Sequence, residues 1–82
     1  MRLNIISEND ITHITIEDEI CPYYSLEFIV ENDQVLVKVN GKIINSVYTE
    51  DLDRLTISDF KFNKCVYELY KKFLHVLMSL IP

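Results

Sequence analysis

The sequence predicts an α+β domain: an antiparallel meander of four to five strands over residues 1–48, and one long C-terminal helix packed on one sheet face. Three observations predict it. Apolar residues alternate with period two through 26–48, and two turn dipeptides punctuate that stretch. From Phe62 onward the apolar spacing changes to the helical 3.6. One glycine and two prolines in 82 residues leave no flexible linker, so the chain reads as a single domain with 49–57 as the connection and 58–81 as the helix.

The first elements are short. "RLNII" is compatible with a first strand, and "ITHITIE" sets Ile14 and Ile16 on one face of the next. "EDEICPYY" is a connection, because Pro22 cannot donate to a central ladder. "YSLEFIVE" and "QVLVKV" then form a hairpin around Asn32-Asp33, and "KIINSVY" follows Asn40-Gly41. Asn-Gly is the strongest short hairpin signal, since a type I′ turn needs positive φ at both central positions. Tight turns at both places dictate register: Glu31 with Gln34, Val30 with Val35, Phe28 with Val37, Leu26 with Val39, and Val37 facing Ile44. Leu26, Phe28, Val30, Val35, Val37, Val39 and Ile44 then share one face, while Glu27 lies opposite Lys38 on the other.

The connection "TEDLDRLTI" supports two readings: a short helical turn started by Thr49 with Glu50 and Asp51 at its N-terminal end, or an edge strand from "RLTI". Ser58 and Asp59 are good caps for the helix that follows, which runs to about Leu80. At 100° per residue, Phe62, Val66, Leu69, Phe73, Val76, Leu77 and Leu80 form one apolar stripe. Tyr67, Tyr70, Leu74, Met78 and Ile81 form a second beside it. A helix on one sheet needs an apolar arc a little over about 100° wide, and two stripes cover nearly twice that. The second stripe therefore requires cover, and the expectation is a homodimer joined through these five residues.

Chemistry-bearing patterns are sparse. His13 and Glu17 lie about 13 Å apart on an extended strand, too far to share a metal. Cys65 and His75 are separated by about 15 Å of helical rise, which excludes a nucleophile–base pair within one helix. A single glycine cannot build a phosphate-binding loop. The carboxylate clusters lack a His or Lys partner to separate their pKa values. No catalytic residue, metal or other cofactor is expected, and the chain reads as a non-enzyme. Cys21 and Cys65 have no CxxC spacing and are expected as buried or half-buried thiols of a cytoplasmic protein, with a bridge between them as the less favoured alternative. The N-terminal stretch has too short an apolar run for a signal peptide, and the C-terminal apolar run falls short of the roughly 20 residues that span a bilayer.

Charge carries the remaining information. Residues 1–59 hold twelve acids against four bases, net −8, whereas 60–82 hold four lysines against one glutamate, net +3. A chain acidic at −5 is a poor candidate for binding nucleic acid directly, even with Lys61, Lys64, Lys71, Lys72 and His75 on one helix face. The acids Glu17, Asp18 and Glu19, and Glu50, Asp51 and Asp53, stand next to Tyr23, Tyr24 and Tyr48. Carboxylates steer an encounter with a basic surface and tyrosines supply anchor area. The expectation is a small acidic binding protein that uses these nine residues to occlude a basic protein such as a nuclease or another nucleic-acid-binding protein. In size and charge the chain resembles the small immunity proteins, antitoxins and anti-defence inhibitors of bacteria and phages, and the absence of alanine fits an AT-rich coding sequence. The alternative is an accessory subunit that assembles through its C-terminal helix.

Overall fold

A computed structural model describes residues 1–80. Five strands, β1 (Arg2–Glu8), β2 (Ile11–Glu17), β3 (Leu26–Glu31), β4 (Gln34–Val39) and β5 (Lys42–Tyr48), form one antiparallel sheet in sequence order. Two 3-10 helices, Thr49–Arg54 and Ile57–Phe60, lead to the helix α1 (Lys64–Leu80) on one face of the sheet.

The turns set the register. Asn9 and Asp10 both adopt positive φ, as do Asn40 and Gly41, whereas Asn32 alone does so in its turn. Leu26 pairs with Val39, Glu27 with Lys38, Phe28 with Val37, Val30 with Val35 and Glu31 with Gln34, as the turn chemistry predicts. The pairing of Val37 with Ile44 does not form: Lys38 pairs with Ile43, but Val37 pairs with Asn45. The extra residue is Ile44, a β-bulge. An unbroken register would turn Val47 away from the helix. The bulge lets both Ile44 and Val47 reach the core.

The core lies between sheet and helix. Ile14, Ile16, Leu26, Phe28, Val35 and Val37 are fully buried from the sheet side, and Val66, Leu69 and Leu77 from the helix. Leu52, Leu55 and Phe60 complete it from the 3-10 segments. Of the two readings of the connection, the helical turn is therefore the one that forms. It lacks the expected cap, however: the Thr49 hydroxyl is buried without a hydrogen-bond partner among the described residues.

The helix starts six residues later than its capping signals predict. Asp59 accepts the Thr56 N–H at 2.8 Å and so closes the second 3-10 turn instead of opening α1. Lys61 and Phe62 then take left-handed φ values of 55° and 62°, which no α-helix continues. Asn63 restarts the chain, its side-chain oxygen accepting the Val66 N–H at 3.1 Å. Phe62, expected in the first stripe, consequently points into solvent at 72% exposure.

Two further expectations are overturned. Cys21 and Cys65 are not separate thiols but a disulfide, with Cα atoms 5.5 Å apart, within the usual bridging range. Tyr70, assigned to an interface between copies, belongs to the chain's own core at 1% exposure. Its hydroxyl donates to the Leu52 carbonyl and accepts the Leu55 N–H, so the 49–60 segment covers the second stripe at Tyr70. Tyr67 and Leu74 are left half-buried and Met78 is 37% exposed, while Ile81 lies outside the described residues.

Candidate functional site: the open face and acidic end of the sheet

Because α1 covers one face, the other face of the sheet is left open. Register fixes its rows: Ile6, His13, Ile29, Leu36 and Ser46 run across the middle. Asn4, Thr15, Glu27, Lys38 and Ile43 form a parallel row toward the Asn40-Gly41 turn, and Glu8, Ile11, Glu31, Gln34 and Tyr48 one toward the opposite end.

Carboxylates on this face divide into two groups. Toward the Asn40-Gly41 end they are paired: Glu27 contacts His13 at 3.1 Å and Lys38 at 3.8 Å, and Glu17 contacts Arg2 at 3.4 Å. At the other end they are not. The Asn9-Asp10 and Asn32-Asp33 turns emerge there together, since alternate turns of a meander share an end. The Thr49 N–H donates to the Asp33 carbonyl at 2.8 Å and docks the first 3-10 helix against the second of these turns. Glu8, Asp10, Glu31, Asp33 and Glu50 are thereby gathered at one end, and among the described residues none has an ion-pair partner. Asp51 and Asp53 stand beside them but share Arg54 at 3.5 and 3.6 Å.

A shallow depression of about 230 Å³ lies between Ile29, Leu36, Glu31, Gln34 and the Asn32-Asp33 turn. It is smaller than the roughly 300–1,000 Å³ of small-molecule sites. One protruding side chain of a partner suits it better than a cofactor. Tyr48, 53% exposed, lies in the adjoining row across Gln34. The site thus combines an apolar floor, one aromatic and an acidic rim.

The nine residues expected as one partner-binding surface are not together. β2 carries the chain from Ile11, beside the acidic end, to Glu17, about 20 Å away at the standard strand rise. Glu17, Asp18, Glu19, Tyr23 and Tyr24 therefore sit at the opposite end from Tyr48, Glu50, Asp51 and Asp53. The first cluster is also largely consumed by the fold. Asp18 has only 5% of its side chain exposed and accepts from the Lys72 ammonium at 2.8 Å, which holds its carboxyl below the ordinary value. Tyr23 remains 86% and Tyr24 37% exposed, with Glu19 beside them.

Sequence reasoning passed over Glu8, Asp10, Glu31 and Asp33. The signal was present: each lies in or next to an Asn-Asp turn, and two turns one hairpin apart in a meander must meet at the same end.

Among the described residues no group of three or more His, Cys, Asp or Glu side chains is arranged to hold a metal ion, and no helix is long and apolar enough to cross a membrane. Comparison with protein-family models, with curated proteins and with solved structures finds no match for the chain.

Proposed function

We propose that the chain is a non-catalytic binding protein that occludes a positively charged partner protein, in the manner of an immunity, antitoxin or anti-defence inhibitor. The observation that carries this reading is the set of five carboxylates gathered at one end of the sheet without ion-pair partners among the described residues, while Glu17 and Glu27 elsewhere on the sheet are paired with neighbours. Like charges gathered without compensation cost stability, and a basic surface relieves that cost on binding. The rim steers the encounter. Tyr48 and the Ile29–Leu36 depression supply contact area beside it.

The alternative of an accessory subunit assembling through α1 has less apolar surface to draw on, because Tyr70 is internal. The disulfide bears on location. Such bridges persist in oxidising compartments and are rare in the cytosol, so Cys21–Cys65 favours an oxidising environment over the cytoplasm expected from sequence.

Capture from a host extract on immobilised protein tests the function. Wild-type protein is expected to retain a basic protein that elutes as salt rises, because exposed charge pairs are screened over about 10 Å at 0.1 M. The Glu31→Gln/Asp33→Asn/Glu50→Gln variant is expected to associate with that protein about tenfold more slowly while keeping its melting temperature. A partner held equally by the variant and at high salt would replace this reading with apolar assembly.

A further inference from the structure

The two edges of the sheet are treated differently. β5 carries the Ile44 bulge, and the Asn45 amide donates to the Asp59 carboxylate at 3.1 Å, which ties the second 3-10 helix to that strand. Bulges and covering segments are standard devices against edge-to-edge pairing. β1 has neither. Its seven residues pair with β2 without a register shift, and it contains no proline, glycine or lysine. Ile5 and Ile6 are exposed at 42% and 53% on opposite faces of the strand. A regular, uncovered edge that carries two exposed isoleucines is a template for another strand.

We infer that β1 pairs antiparallel with β1 of a second copy about a two-fold axis through Ile5, giving a continuous ten-stranded sheet. The register follows from the residues. Centring on Ile5 uses all seven positions and sets Arg2 opposite Glu8 of the second copy, twice by symmetry, with Ile5 opposite Ile5. Glu8 has no ion-pair partner among the described residues, and Arg2 already leans on Glu17 across β2. In the pair its guanidinium lies between two carboxylates. Opposed residues also share a face in this register, so both helices lie on the same side and the two open faces join. A shift of one position would place the helix side of one copy next to the open face of the other. A shift of two would lose both Arg2–Glu8 pairs. The interface does not depend on the binding role proposed above: it takes up Glu8 and leaves Asp10, Glu31, Asp33 and Glu50 at the acidic end.

Pairing through one strand falls in the small class of interfaces, below about 1,200 Å², so self-association is weak and depends on concentration. Sedimentation of the full chain from micromolar to near-millimolar concentration is expected to show a monomer–dimer equilibrium. Arg2→Glu is expected to weaken it about five- to tenfold, and Arg2→Glu/Glu8→Arg to restore it to within about twofold. Cross-linking reads the register directly. Directly opposed Cα atoms lie about 4.5–5.5 Å apart, within reach of a disulfide, so Ile5→Cys forms a covalent dimer on mild oxidation. Ile6 sits two positions off its counterpart, beyond the roughly 7 Å limit, so Ile6→Cys does not. Sedimentation as a monomer throughout, equal cross-linking at 5 and 6, or a charge swap as weak as the single variant would each overturn the assignment. A monomer would leave the edge to a strand from another protein.

Discussion

Two irregular segments hold α1 to the sheet, and they do so by different physics. Residues 49–60 bury Leu52, Leu55 and Phe60 and enclose the Tyr70 hydroxyl between two backbone groups. Residues 18–25 bury only Cys21 fully and leave Ile20 and Tyr23 at 46% and 86% exposure. What attaches this second segment is covalent and ionic: the Cys21–Cys65 bridge and the 2.8 Å contact of Asp18 with Lys72. The difference shows how a small domain covers both flanks of one helix. Enough apolar residues exist to bury one flank, and in a chain of this length no further core is available for the other. A bridge and an ion pair replace it there.

Breaking the bridge should have the largest effect. For a sequence separation of 44, the chain-entropy account assigns about 4 kcal/mol to the closed loop. A change of 1 kcal/mol moves the melting temperature of a domain this size by about 4–8 °C. Cys21→Ser/Cys65→Ser, or added reductant, is therefore expected to lower it by about 15–30 °C in a thermal melt. A fall of only a few degrees would mean that 18–25 is held by something other than the bridge.

The comparison sharpens when equivalent truncations are made on both segments. Leu52→Ala opens a cavity at a fully buried site and is expected to cost about 3 kcal/mol. Ile20→Ala, at a site nearly half exposed, is expected to cost less than about 1 kcal/mol. Similar losses in denaturant titrations of the two variants would erase the distinction.

The smallest effects are expected in the pH dependence, and the two segments should respond at opposite ends of the scale. Burial raises the Tyr70 phenol above its ordinary 10.0. Its contribution is complete below that value and is lost as pH rises through the raised folded value. Tyr70→Phe should flatten this alkaline loss while costing about 1–3 kcal/mol at neutral pH, because Leu52 and Leu55 lose a buried partner. The Lys72 hydrogen bond lowers Asp18 below its ordinary 3.8, so that contribution is complete above 3.8 and is lost as pH falls through the lowered folded value. Lys72→Met should remove that part of the acid sensitivity. Melting curves across the pH range that keep the same limbs in both variants would refute the assignment.

Much of this was legible from residues alone. Period-two spacing and the Asn-Asp and Asn-Gly dipeptides predicted β3, β4, β5 and the β3–β4 register, because turn chemistry and alternation act over a few residues. The helix start was misread for a similar reason. Ser58 and Asp59 carry capping chemistry that serves a 3-10 turn as well as an α-helix, and nothing local announces left-handed conformations at Lys61 and Phe62. The candidate site was half legible. Glu50, Asp51, Asp53 and Tyr48 lie at the acidic end, but Glu17, Asp18 and Glu19 lie at the other.

The sequence by itself determined the α+β class, the strand alternation, the turn positions and the total charge, all of which follow from local sterics and composition. Tertiary structure alone decided which carboxylates stand without partners, that Cys21 meets Cys65, that Tyr70 faces inward, and that β5 is bulged and tied to the second 3-10 helix while β1 has neither feature. Those outcomes depend on residues distant in sequence competing for the same few buried positions. Only the assembled packing of sheet, connection and helix resolves that competition.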